Sequence, residues 1–222
     1  MSPRSQKKLN RYGSHHSTIP HEDFTVAWIC ALPVEMAAAE AMLDEKYEGL
    51  PTHPKFQNTY TLGRINSHNV VIVYLPLGVY STISALIVAS QIQHTFKSIC
   101  YSLMVGIGGV PSINADIRLG DIVVSKPTRD FGGVIQYDYG KTISEGSLQR
   151  TGMLNKPPPI LLTAVSKMQA QEMLGSDHIF SHLAKASVTN ASLSDMFTYC
   201  GMEQYSVRLG IRPWVRLIIL VF

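Results

Sequence analysis

At 222 residues, 45% hydrophobic and 16% charged, the chain has the size and composition of one good-sized α/β domain with a single core. The net charge of +3 is uneven: residues 1–20 hold Arg4, Lys7, Lys8 and Arg11 with no acid, and +3 less +4 leaves about −1 for the rest. That balance argues against nucleic acid as a partner of the domain. No run approaches the ~18 apolar residues of a membrane span, and the first twenty residues lack the apolar core of a signal peptide.

In chain order, residues 1–22 read as a disordered basic tail, because four charges diluted by Ser, Gly, His and Asn more often solvate a terminus than address it. Phe24 to Ala31 follows as a short apolar run with aromatic and β-branched residues, a buried strand. Pro33 suits the first turn of a helix, and Val34 to Tyr47, rich in Ala, Glu and Met, is expected to continue it until Gly49 and Pro51. Asn58 to Ile65 and Val70 to Leu75 read as a hairpin joined near Asn66-Ser67-His68-Asn69. Ser81 can cap a helix whose apolar positions Ile83, Leu86, Ile87 and Ile92 keep a period near 3.6 up to about His94.

Ile99 to Val105 returns as a strand and opens into a turn with three glycines in four positions, Gly106-Ile107-Gly108-Gly109. Without Cβ atoms such a turn lets the backbone approach a ligand, although glycine turns also serve plain chain reversal. Ile122 to Ser125 and Val134 to Tyr139 read as further strands, and Ile160 to Leu174, after Pro157-Pro158-Pro159, as a helix. The hairpin among alternating strands and helices predicts an α/β domain with a mixed central sheet. Cys30 and Cys100, each in an apolar strand pattern, read as reduced buried thiols, and with no signal peptide this predicts a cytoplasmic protein. His178 and His182 stand at i, i+4 without a third ligand, so no metal site is expected.

Four segments in this order carry a resemblance: Phe24 to Glu35, Gly106 to Pro111, Leu119-Gly120-Asp121-Ile122-Val123-Val124-Ser125, and Tyr137-Asp138-Tyr139-Gly140-Lys141. Together they resemble the purine nucleoside phosphorylase and methylthioadenosine/adenosylhomocysteine nucleosidase superfamily, in its fungal nucleoside-phosphorylase-like branch. The resemblance implies a three-layer αβα sandwich, C-terminally incomplete, over residues 23–186, with 187–222 a divergent ending. It implies action on the N-ribosidic bond of purine nucleosides without a cofactor, in a homo-oligomer.

Breaking that bond passes through an oxocarbenium-like state, which needs an activated water or a phosphate, an acid for the departing base, and a grip on the ribose hydroxyls. On local grounds Glu35 is a charge stabilising a helix start; the resemblance makes it the water-activating base. Gly106, Ile107, Gly108 and Gly109 would border sugar and base, and Ile135 and Tyr137 match positions lending apolar surface to a neighbouring subunit's pocket. The phosphorylase branch presents an arginine where Glu35 stands, so water is preferred to phosphate as the nucleophile. The family's ribose-binding Met-Glu and acid-bearing Ser-Asp pairs have only the echoes Met202-Glu203 and Ser194-Asp195 here, in reversed order. The alternative is therefore a nucleoside-sensing or interaction module without turnover.

Overall fold

Five residues at the centre of the chain's sheet set its two faces. In β1 (Val26–Cys30), Ala27 and Ile29 point one way and Val26, Trp28 and Cys30 the other, as the period of two in a strand requires. The computed structural model describes residues 19–48, 58–79, 81–108, 122–135, 140–142, 148–149, 151–176, 181–182, 184 and 216–221. β1 lies between β4 (His68–Tyr74) and β5 (Tyr101–Gly108), parallel to both. With β2 (Glu45–Lys46), β3 (Tyr60–Ile65), β6 (Ile122–Val124) and β9 (Arg216–Val221), the full order of the seven-stranded sheet is β2-β3-β4-β1-β5-β9-β6.

α1 (Pro33–Ala41) covers one face, where Ala39 and Met36 pack with Cys30, Val70 and Ile72. α2 (Thr82–Thr95) covers the other, where Val88, Ile92 and the following Phe96 meet Phe24, Ala27, Ile29, Val71 and Val73. Helices on both faces of a mixed sheet make the three-layer αβα arrangement that the sequence led us to expect. Rings dominate the larger core: Phe96 is edge-on to Phe24 and Tyr60, with centroids 5.4 and 5.3 Å apart.

The expected hairpin is present, as β3 (Tyr60–Ile65) paired antiparallel to β4. Asn66 and Ser67 form its two-residue loop, and Asn66 has φ 54, a left-handed conformation that Asn tolerates. Ser81 caps α2 as expected, its hydroxyl accepting the Ser84 N–H at 3.1 Å. α3 (Pro159–Met173) also lies where the pattern put it. β7 (Lys141–Thr142) and β8 (Leu148–Gln149) pair separately.

Three expectations are corrected. α1 stops at Ala41, not Tyr47, because the amides beyond it find acceptors on β3: Asp44 N–H bonds Arg64 O and Tyr47 N–H bonds Leu62 O, each at 2.8 Å, with Glu45–Lys46 forming the edge strand β2. Of the apolar positions expected on α2, Ile92 is buried, but Ile83, Leu86 and Ile87 turn outward and Ser84 and Val88 are buried in their place. β9 (Arg216–Val221) lies within the segment expected as a divergent ending and is hydrogen-bonded antiparallel to β5 and parallel to β6 (Ile122–Val124). Cys30 is buried as expected, but Cys100 is exposed.

Val134 and Ile135 belong to no strand, and the rest of the strand expected up to Tyr139 lies outside the described residues. So do residues 1–18 of the basic tail and most of 187–222. No helix among the described residues is long and apolar enough to cross a membrane.

Phe96 is 1% exposed and touches both strands and rings of the larger core, so Phe96→Ala should cost about 3–5 kcal/mol of folding stability. Chemical denaturation monitored by circular dichroism measures it; a loss below about 1 kcal/mol would mean that this core does not hold the α2 layer.

Candidate functional site around Glu35

β1 ends at Cys30, the chain turns through Ala31 and Leu32, and Pro33 starts α1 with Glu35 at its third position. A proline there loses no hydrogen bond, and a glutamate three residues after the cap can reach back to free amides at the helix start. Leucine offers no side-chain acceptor for the reciprocal bond, so Glu35 does the capping alone. Its Oε2 accepts the N–H of Ala31 at 2.6 Å and of Leu32 at 2.8 Å.

The other oxygen crosses to a neighbouring strand. Oε1 accepts the Ile107 N–H at 2.8 Å, 72 residues along the chain. The side chain is buried, and among the described residues no cation contacts it. Three N–H donors and the positive end of the helix dipole stabilise the charge in place of a cation.

Gly106 explains how the carboxylate fits. A Cβ at this position would stand 2.8 Å from Oε1, 3.2 Å from the carboxyl carbon and 3.4 Å from Oε2. The space left by the missing side chain is occupied by Glu35. Gly106, Ile107 and Gly108 are also strand residues rather than a turn, paired in β5 with Ile218, Leu217 and Arg216 of β9. The glycine-rich turn expected from the sequence is thus a strand extension as far as Gly108; Gly109 lies outside the described residues.

Of the other expected site residues, Ile135 is 44% exposed in the loop after β6, and Tyr137 lies outside the described residues, as do His178, Ser194-Asp195 and Met202-Glu203. Gly132 and Gly133 shape that loop: a Cβ on Gly132 would collide with Leu154 O, and Gly133 has φ 115 against the backbone of Lys126. Among the described residues no group of three His, Cys, Asp or Glu could hold a metal ion.

Sequence reasoning missed the role of Cys30. Burial pushes its thiol up from 9.0 to about 12, and the nearby Glu35 carboxylate adds to the rise. The thiol stays neutral beside the carboxylate, which leaves the site one negative charge. Chemically, an ionised carboxylate has about four lone-pair positions, and three are filled by N–H donors. Among the described residues the fourth position, on Oε1, has no donor, and a carboxylate oxygen of this kind is able to accept a hydrogen bond from water.

Two outcomes follow from this geometry. Gly106→Ala should push the carboxylate off Ile107 and lower stability by about 1–3 kcal/mol, measured by denaturant titration. Because the folded thiol of Cys30 titrates above its ordinary 9.0, the stability it contributes is complete below pH 9 and is lost as pH rises toward about 12. The fall in melting temperature between pH 9 and 11 should therefore be steeper in the wild type than in Cys30→Ala; equal slopes would place the thiol in a polar setting.

No family model matches the chain. A nucleotide-binding leucine-rich-repeat-like protein of Hyaloscypha variabilis is 50% identical over 158 residues, which is 70% of this chain. The chain spans only 16% of that relative's length. Among solved structures, the 5′-methylthioadenosine/S-adenosylhomocysteine nucleosidase of Helicobacter pylori, complexed with a pyrrolopyrimidine-substituted pyrrolidinol, superposes with a TM-score of 0.50 at 10% identity, over 89% of this chain and 84% of that one. A Borrelia burgdorferi protein assigned to the same nucleosidase type and bound to adenine gives 0.50 at 17% identity, with the same coverage of both chains. With the mixed sheet and its two helical layers, these likenesses show that the chain has the same α/β fold as those two nucleosidases.

Proposed function

We propose that this chain acts on the N-ribosidic bond of purine nucleosides, by hydrolysis rather than phosphorolysis, with Glu35 as the base. The observation that carries the proposal is the buried Glu35 carboxylate with one open lone pair, seated beside Gly106 and Ile107 at the end of β5. In the reaction, Glu35 takes a proton from water as the water oxygen bonds to C1′. The C1′–N bond breaks, its electron pair leaves with the base, and a second group supplies the base's proton. No described residue fills that last role, so turnover is slow in this reading.

The adenine of one solved nucleosidase and the purine-like pyrrolopyrimidine of the other support the choice of substrate class. A second reading is favoured by the leucine-rich-repeat-like relative: a nucleoside-sensing module that binds without turnover inside a larger protein. In either reading a homo-oligomer would cover the outward stripe of α2, Ile83, Leu86 and Ile87, which are 69%, 69% and 51% exposed.

Incubation with adenosine, inosine or methylthioadenosine in phosphate-free buffer should give free base and free sugar, slowly, and Glu35→Gln should lower that rate about 10²–10⁴-fold. Base release that requires added inorganic phosphate, with ribose 1-phosphate as the sole sugar product from adenosine or inosine, would establish a phosphorylase, and calorimetric binding without base release would establish the sensing module. Sedimentation tests the oligomer: Leu86→Glu is expected to dissociate it, and a monomeric wild type would refute it.

A further inference from the structure

β1 and β5 end at different heights. Their parallel register stops at Ile29 opposite Met104, whereas the other edge of β5 stays paired with β9 as far as Gly108. On the β1 side, the amides past Met104 lose their ladder just where the chain turns into α1, and buried backbone groups need partners. Ile107 N–H finds one in Glu35 Oε1, while Oε2 of the same carboxylate takes the Ala31 and Leu32 amides that close β1. One side chain stands where the next carbonyl of β1 would have stood.

We propose that Glu35 is a positioning residue for the Gly106–Gly108 segment as well as a base, so that nucleoside binding, and not turnover alone, depends on its carboxylate. The inference rests on the reading that this segment borders the nucleoside. Charge-assisted bonds to three amides fix the end of β5 against the start of α1 more firmly than one neutral bond would. Gly106 is the other half of the device, since any Cβ there would displace the carboxylate. A glutamine substitutes only in part: its carbonyl oxygen can accept at one of the two oxygen positions, while its NH₂ presents donors to an amide donor at the other, so the link between Ile107 and the Ala31–Leu32 turn is broken. A residue acting only as a base would lose turnover on that change and keep its ligand.

The test uses the full 222-residue chain, with Glu35→Gln and Glu35→Ala beside the wild type. Hydrogen exchange at the Ile107 amide and calorimetric binding of adenosine are measured on all three. The melting temperature and the adenosine affinity of the wild type and the Ala variant are then titrated with sodium formate against sodium chloride at equal ionic strength. The Ile107 amide should be protected in the wild type and exchange at least about tenfold faster in both variants, with adenosine bound about tenfold more weakly. Formate, a free carboxylate the size of the deleted group, should raise both melting temperature and affinity of the Ala variant saturably and leave the wild type unchanged.

Adenosine affinity of Glu35→Gln within about twofold of the wild type would overturn the proposal and leave Glu35 a base alone. An unprotected Ile107 amide in the wild type would overturn it as well, as would a folded Ala variant indifferent to formate. Should the Ala variant fail to fold, the Gln comparison and the wild-type exchange rate decide. Should the wild type bind no nucleoside, the functional reading fails, while Ile107 protection and the melting response to formate still report whether the carboxylate positions the segment.

Discussion

The site depends on one carboxylate shared among three backbone amides. Burying an ion is costly unless its lone pairs are met, and Glu35 meets the cost with donors that the turn itself leaves unpaired at Ala31, Leu32 and Ile107. The arrangement couples elements far apart in sequence: the end of β1, the start of α1 and the end of β5. It also sets the chemistry of its neighbours. Cys30, beside the carboxylate and cut off from water, keeps its proton, and Gly106 leaves the volume that the carboxylate fills.

α1 is nine residues long, too short to be stable alone, and an acid pins each of its ends. Glu35 ties the first turn to β5. At the last turn Glu40 accepts the Thr61 hydroxyl at 2.8 Å and the Lys46 ammonium at 2.6 Å, which ties the helix to β3 and the edge strand β2. Partial burial works against ionisation of Glu40, yet the bonds from Lys46 and Thr61 outweigh it and hold the carboxyl below its ordinary 4.5. Between these two anchors Ala39 and Met36 rest on Cys30, Val70 and Ile72. The helix dipole and its first-turn amides are thereby fixed in direction, and a capping carboxylate needs that if it is also to present a lone pair.

Local signals made part of this legible. The apolar run of β1, the Asn66 hairpin, the Ser81 cap and the proline start of α3 are each written within a few residues, and each is present. The inward face of α2 was not legible: Thr82–Thr95 carries apolar residues almost all round, so period alone could not choose Val88 over Leu86, and the rings of Phe24 and Phe96 did. The end of α1 and the place of β9 depend on pairing with strands that are distant in sequence. Glu35 was legible as a helix-start acid, and the resemblance offered it as a base. Its bond to Ile107 left no local trace, and so the glycine at 106 read as room for a ligand when it is room for a carboxylate.

Within the proposed reading, the same geometry bears on which nucleophile the site admits. Adjacent backbone N–H groups at a helix start ordinarily make an anion site, and in a phosphorolytic enzyme such donors would serve phosphate. Here the protein's own anion already occupies them. A phosphate arriving at about 4 Å from that carboxylate would meet about 4 kcal/mol of repulsion per unit charge at an effective dielectric near 20. Displacing the carboxylate would leave the Ala31, Leu32 and Ile107 amides to the newcomer but would undo the link between α1 and β5. Water carries no charge, needs only the one lone pair that Oε1 keeps, and can be deprotonated where it sits. Hydrolysis is thus the chemistry that leaves the structural role of Glu35 intact while using its remaining basic position.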